Sequence, residues 1–307
     1  MPPSAWPEPG PIEVLLSAGE AELAVDLRGG GMRRLAVGAW EVLDTYPAGT
    51  VADGWPGSVL LPWPNRVRNG RWRWEDRDLQ LDVQSPEQPN ALHGLVCWQP
   101  WSLIEGDGSD RTATVATTVE PHPGYPFRLA GAVDYALAPD HLSVTVRVRN
   151  LGTEPAPLGA GMHPYLSVGA ASDGDLEQAE LHLPVRTALE LDGGLPTGGR
   201  RPVDGAVGRI GDRSFDDAFT DLVRDDDGWA RTRLRGPAGE LELAVDGTWP
   251  WLQVFSGDQL PAGRRRRSLA VEPMTCPPNA LADGVDLLVL APGDEWAGTW
   301  ALSWTAR

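Results

Sequence analysis

Five residues in this chain combine reactive side chains with surroundings that would hold them still: Arg66, His93, His163, Asp216 and Glu272. Among the histidines, His122 in EPHPGYPF and His141 in APDHLSV sit in turn chemistry beside Pro, Gly or Asp. His182 sits in an alternating segment, AELHLPV. These three read as surface or structural positions. His93 in NALHGLV and His163 in GMHPYL differ, because apolar residues surround each and a neighbouring Gly permits close backbone approach. Most of the 43 acidic residues fall in solvated turns. Glu272 does not: SLAVEPMTCPP ends an apolar run on a carboxylate followed by Pro273. Burial there raises a carboxyl pKa from about 4.3 toward neutrality, as a general base requires.

Two further positions suit the holding of hydroxyls. SFDDAFTD carries Asp216 and Asp217 in an aromatic-flanked strand, and alternation points only one of them inward. Arg66 in LPWPNRVRNG follows a rigid PWPN loop that can present its planar fork to vicinal hydroxyls, while Arg68 and Arg71 face solvent. The chain lacks a Gly-rich phosphate loop, a GxSxG elbow, a cysteine nucleophile with a partner and an HExxH helix. The two His and two carboxylates have no metal-ligand spacing. Cofactor-free proton transfer remains, with no metal expected.

Strands must position these groups. AELAVDL (21–27), HLSVTVRVRN (141–150), ELELAVDG (240–247), WLQVF (251–255), VDLLVL (285–290) and WAGTWALSW (296–304) alternate apolar and polar residues. Gly and Pro turns separate them, which predicts antiparallel sheets packed face to face in one domain over residues 1–307. DLEQAEL (175–181) is the best helical window and is short. RDDDGW (224–229) and AGRRRRS (262–268) read as charged hairpin tips. The 14 tryptophans read mainly as filling for a wide core, with a few available to flank a sugar ring.

Charge narrows the partners. The formal net charge is −17, which argues against nucleic acid and anionic membranes and favours a neutral small molecule. Every basic residue is Arg, which excludes a Schiff-base or P-loop lysine. MPPSAWPEPGPIEVLL has neither a basic n-region nor an apolar h-region, and no run is long enough to span a membrane. Cys97 and Cys276 stand far apart, so a cytoplasmic protein with reduced thiols is expected.

Together, LPWPNRVRNGRW, NALHGLVCW, GMHPYLSVG, SFDDAF and VEPMTCPPNAL resemble the aldose 1-epimerase (galactose mutarotase) family in order and approximate spacing, from about Ile12 to Trp304. The resemblance implies an all-β fold, a large antiparallel β-sandwich with a sugar in an open cleft. It implies Glu272 as general base and His163 as general acid, with Arg66, His93 and Asp216 on the sugar hydroxyls and Asn65 a weaker candidate. The reaction would interconvert the α and β anomers of a free aldohexose without a cofactor. Many members carry two glycines after the first His and a His after the Asp; this chain reads HGLVCW and DDAF. It therefore resembles a divergent bacterial branch, and galactose specificity is not implied.

Three alternatives share parts of this toolkit. A mutarotase for a phosphorylated or sulfonated hexose needs extra Arg, and Arg264–Arg267 is the one run available. If 251–255 and 268–272 form a hairpin, that run is a solvated tip roughly 17 Å from Glu272, beyond an Arg side chain. A non-catalytic sugar-binding protein has no need of both Glu272 and His163. A glycosidase using Glu272 and Asp216 needs two carboxylates at a fixed separation.

Overall fold

The structure, a computed structural model, describes residues 12–50, 53–105, 110–169, 172, 174–205 and 208–307. Most of the N-terminal segment read as leaderless lies outside these residues. Period-2 alternation becomes strand where the sequence carries it. His141–Asn150 and Trp251–Phe255 match their expected spans. The other alternating segments give Ala21–Asp26, Gly239–Val245 and Glu295–Ala306. VDLLVL yields only Leu288–Leu290, because Asp286 takes a left-handed φ of 49° that ends the extended run. DLEQAEL gives one 3-10 turn, Asp175–Gln178, and then a strand, Glu180–His182.

Two sheets dominate, and the strand pairings within them are antiparallel. Nine strands run in the order Ser102–Glu105, Thr112–Val119, Leu129–Leu137, His141–Asn150, Glu295–Ala306, Gly239–Val245, Ala230–Arg235, Glu180–His182 and Gly208–Arg209. The second sheet runs Leu195–Pro202, Thr187–Asp192, Asp216–Thr220, Trp251–Phe255, Leu269–Met274, Gly161–Met162 and Val59–Leu60, with Tyr165–Leu166 also paired to Leu269–Met274. A smaller sheet, formed by Glu13–Ala18 through Trp40–Glu41, accompanies them.

The main core lies between the two large sheets. Val133, Val144, Leu243 and Trp300 enter it from the first, Leu252, Val254, Leu269 and Val271 from the second. Because strand side chains alternate, the same two strands of the second sheet send Gln253, Phe255 and Glu272 to its other face. That face carries the site. Trp249, Trp251 and Trp300 are fully buried, as the core-filling reading expects.

Two loop expectations need correction. RDDDGW is not a hairpin tip: it crosses from Asp216–Thr220 in one large sheet to Ala230–Arg235 in the other. Arg224 there donates to the carbonyls of Val245, Asp246 and Trp249. The run Arg264–Arg267 does connect a hairpin, but it is not a solvated tip. Arg264 binds one oxygen of Asp44 at 2.7 Å and Arg267 binds the other; the Asp44 side chain has no exposed surface. Arg266 binds Asp258 at 2.6 Å and the Gly211 carbonyl. Only Arg265 is exposed. The long connection folds down onto these acids, and the straight-strand measurement of 17 Å does not apply to it.

Removing one partner from a buried ion pair costs roughly 3–5 kcal/mol, because a desolvated charge is left unpaired. Asp44→Asn strands two guanidinium groups at once. We expect it to lower unfolding free energy by at least about 3 kcal/mol in a urea titration; a change within about 0.5 kcal/mol would show that solvent already compensates these arginines.

Candidate active site

The strand Leu269–Met274 holds the centre. On one side Gln253 stands directly opposite Glu272 in the ladder. On the other side Gly161 pairs with Met274 and Tyr165 pairs with Ala270, so the residues between bracket Glu272. Pro164 has no N–H to give a ladder, and the pairing is interrupted there. The chain is pinned around the gap: His163 N–H donates to Ser58 O, and Gly57 N–H donates to His163 O. This interruption turns the His163 ring toward the carboxyl, with Nε2 3.3 Å from Glu272 Oε1.

Arg66 and His93 arrive on a separate two-strand ribbon, Arg66–Val67 against Ala91–Leu92. Its end is locked reciprocally: His93 N–H donates to Asn65 O, and Asn65 N–H donates to His93 Nδ1 at 3.2 Å. Both residues adopt left-handed backbones, with φ of 54° at Asn65 and 60° at His93, conformations that non-glycine residues adopt at a cost. Gly94 follows at φ 77°, and a Cβ there would collide with the Leu61 carbonyl. Asn65 Oδ1 accepts from Arg66 N–H at 2.8 Å and Arg66 Nη1 at 3.3 Å, which fixes the guanidinium from behind. A glycine, Gly194, lies against its plane, where a Cβ would again collide.

All five residues singled out from the sequence line one cleft of about 720 Å³. Asp216 faces it and Asp217 does not, being paired with Arg201 at 3.3 Å. Asp216 accepts from Gln253 Nε2 at 2.8 Å and lies 3.6 Å from Arg66 Nη2. The His93 ring is 5.2 Å from the His163 ring and 5.0 Å from that of Trp55. Tyr165 stacks on His163 at 4.9 Å and donates its hydroxyl to Gly54 O at 2.9 Å. Arg264, although outside the cleft lining, sits 6.0 Å from the Tyr165 ring centroid. His122, His141 and His182 lie away from the cleft, the first two beside Asp82 and Asp140.

Gln253, Trp55 and Tyr165 are cleft residues that sequence patterns alone did not single out. Gln253 left a signal: a long polar amide in the apolar strand WLQVF is fully buried, and its Oε1 has no partner among the described residues.

Electrostatics favour neutral groups at the centre. Burial raises the Glu272 carboxyl well above its ordinary range, and the Asp216 charge adds to this while Arg66 opposes it. Burial lowers His163, and the Arg264 charge adds to the effect. His93 is lowered too, by burial first and then by His163 and Arg66. Glu272 Oε2 and His163 Nδ1 have no hydrogen-bond partner among the described residues. Both shifts favour a protonated carboxyl beside a neutral imidazole over carboxylate and imidazolium. Either distribution holds one proton in a pair able to give it at one atom and take it at another.

Comparison with known proteins bears on the family and the fold. The family model for aldose 1-epimerase matches residues 14–303. The chain is 32% identical over 287 residues to the uncharacterized protein YihR of Escherichia coli (strain K12), covering 91% of this chain and 89% of that one. Its fold is similar to a galactose mutarotase-like protein from Clostridium acetobutylicum, with a TM-score of 0.81, 17% identity and 95% of each chain covered. It is also similar to galactose 1-epimerase from Lactobacillus acidophilus NCFM, with a TM-score of 0.77, 18% identity and coverage of 96% and 94%. The expected all-β, galactose mutarotase-like sandwich is the fold observed.

The raised Glu272 pKa can be read directly. Isotope-edited infrared spectra should show a protonated Glu272 carboxyl persisting above pH 4.5 and vanishing only as the pH rises through the elevated value. The band should be absent in Glu272→Gln. A carboxylate signal from Glu272 at pH 6 would show that burial does not hold this carboxyl protonated.

Proposed function

Because this chain belongs to the aldose 1-epimerase family, we propose that it is a cofactor-independent mutarotase for a free, neutral aldohexose. The observation that carries this reading is the contact between Glu272 and His163 at the floor of the cleft, 3.3 Å apart and both buried. Mutarotation removes a proton from the C1 hydroxyl and delivers one to the ring oxygen, and no other group has to be transferred. Glu272 is the base and His163 the acid for ring opening.

Protonation follows from the site electrostatics. The polar groups of a bound sugar replace part of the solvation lost on burial, so the proton passes from Glu272 Oε1 to His163 Nε2. Glu272 then takes the C1 hydroxyl proton while His163 gives its proton to O5, and the C1–O5 bond breaks. The product is an open-chain aldehyde beside a protonated carboxyl and a neutral imidazole. That is the distribution burial favours, so the pair is already set for closure. After rotation about C1–C2, His163 takes the C5 hydroxyl proton and Glu272 protonates the carbonyl oxygen on the other face. Arg66, His93 and Asp216 hold the remaining hydroxyls, with Gln253 beside Asp216.

The other readings receive less support. For a charged hexose, Arg264–Arg267 would have to reach the ligand, but three of the four are engaged with Asp44, Asp258 and backbone carbonyls. A pure binding protein leaves the buried acid–base pair without a use. In a glycosidase, Asp216 would act as a free carboxylate, whereas here Gln253 and Arg66 occupy it. Two buried free thiols, Cys97 and Cys276, support the cytoplasmic location expected above.

Polarimetry of freshly dissolved α-glucose and α-galactose tests the activity. Glu272→Gln and His163→Asn should each lower kcat at least about a hundredfold with little change in sugar binding, the usual scale for a positioned acid or base. Near-wild-type anomerisation in either variant would remove that residue from the mechanism. Arg66→Lys keeps the charge but loses the fork fixed by Asn65, and a clear loss in kcat/KM is expected. Unchanged kinetics would place Arg66 outside the sugar contacts.

A further inference from the structure

We propose that Gly194, at the tip of the hairpin formed by Thr187–Asp192 and Leu195–Pro202, is a positioning residue for Arg66. Lying bare against the flat face of the guanidinium, it fixes which N–H groups that side chain presents to the cleft. The inference rests on the mutarotase reading, in which Arg66 holds substrate hydroxyls, and identifies what aims it.

The hairpin reaches the site by a bend. Thr187–Asp192 pairs with Asp216–Thr220 only at Thr187 opposite Thr220 and Ala188 opposite Phe219. Just beyond, the register against Leu195–Pro202 jumps. Leu189 faces Arg200 but Leu191 faces Pro196, so residues 197–199 stand opposite Glu190 alone. Such a bulge bends and twists the strands that carry it. The bent end is anchored: Leu191 packs on the cluster of Leu189, Ala218, Trp251 and Met274, and Leu195 is buried. Arg68 Nη2 donates to the Pro196 carbonyl at 3.4 Å, which ties the hairpin to the segment carrying Arg66.

Turn geometry alone does not account for the second glycine of the tip. Asp192 pairs with Leu195, so Gly193 and Gly194 form a two-residue loop, with φ of 56° and 76°. A hairpin turn of the I′ kind needs positive φ at both positions, and glycine meets that need at each. Their surroundings differ. A Cβ at Gly193 would have nothing within 4 Å. A Cβ at Gly194 would lie 2.4 Å from Arg66 Nη1, 2.6 Å from Cζ and 2.9 Å from Nε. Three atoms of one plane at similar distances mean that the tip covers the flat side of the guanidinium. The turn explains Gly193; Gly194 meets a second requirement.

A guanidinium donates hydrogen bonds only in its plane. Bare backbone against one face therefore takes none of its donors and stops the plane from tilting that way. In the plane, Asn65 Oδ1 holds Nη1 at 3.3 Å and Asp216 Oδ2 lies 3.6 Å from Nη2. Arg66 lines the cleft, whereas the hairpin contributes none of that lining among the described residues. Gly194 thus acts on a bound sugar only through Arg66. A methyl group at Gly194 has to push the guanidinium away from Asn65 and Asp216.

Gly193→Ala and Gly194→Ala place similar strain on the turn, but only the second sets a methyl on Arg66. In polarimetry of glucose or galactose, whichever the wild type anomerises, Gly194→Ala should lower kcat/KM about tenfold, mainly through KM. Gly193→Ala should stay within about twofold of wild type. Gly194→Asn eases the left-handed strain but keeps an added side chain, and should lose as much as Gly194→Ala. On an Arg66→Ala background, Gly194→Ala should cost less than about twofold more, because its target is gone. Equal losses in the two alanine variants, recovery in Gly194→Asn, no loss in Gly194→Ala, or a full further loss on Arg66→Ala would each overturn the assignment. A second arm needs no turnover. In heteronuclear NMR spectra the Arg66 Nε–H signal, identified by its absence from Arg66→Ala, should shift or broaden in Gly194→Ala and stay in place in Gly193→Ala. An unmoved signal in Gly194→Ala overturns the proposal even if sugar is turned over. If no sugar is anomerised while the signal responds to Gly194 alone, the mutarotase reading fails and the positioning of Arg66 stands.

Discussion

A carboxyl group at the centre of a sheet, with one oxygen against an imidazole and the other without a hydrogen-bond partner among the described residues, sets the terms for this molecule. An unsatisfied buried polar atom costs roughly 1–3 kcal/mol, and a buried unpaired charge costs far more. Burial accordingly raises the Glu272 carboxyl pKa, and polar groups are placed around it. Gln253 stands opposite in the ladder, His163 lies against one oxygen, and the Asp216–Arg66 pair is close by. The cost is offset on the other face of the same strands, where Leu252, Val254, Leu269 and Val271 close a core shared by both large sheets. One face of the sheet stabilises; the other holds strain and unpaired polar atoms.

The backbone around the site follows the same division. Asn65 and His93 take conformations that extended strands avoid, and each is held by two reciprocal hydrogen bonds. Pro164 interrupts the ladder between the Gly161 and Tyr165 pairings, and the His163 ring beside it reaches Glu272. Beneath these, the Asp44 cluster ties the connection Ser256–Ser268 to the segment after Trp40–Glu41, and Tyr165 spans the space between that cluster and His163. His163 is thereby held in place by ladder, stack and ion cluster together.

How much of this could be read beforehand depended on whether a feature was local. His163, Glu272 and Arg66 announce themselves because each combines a reactive group with a Pro or Gly that has no place in a simple strand. The alternating segments gave strands of nearly the right span for the same reason, since the face-to-face signal lies within a few residues. Gln253 carries no such local mark, because a single polar residue in WLQVF looks like ordinary alternation; only the paired register reveals its place opposite Glu272. The Arg run differs from its local reading because its partner, Asp44, lies 220 residues away from Arg264 in the chain. No local pattern carries that pairing, and a charged stretch with Gly beside it has the composition of a solvated loop.

The bond from Asn65 N–H to His93 Nδ1 has a consequence for molecular recognition. With Nδ1 accepting this bond and burial disfavouring the charged ring, the tautomer that fits carries its proton on Nε2. His93 therefore speaks to the ligand only as a donor, and Arg66 beside it has no acceptor to offer either. That stretch of wall reads lone pairs. An oxygen there is welcome whether it belongs to a hydroxyl, an ether or a carbonyl, whereas an ammonium meets two donors and no counter-charge from them. In the mutarotase reading proposed above, this wall would favour sugar atoms that accept hydrogen bonds over an ammonium at the same position.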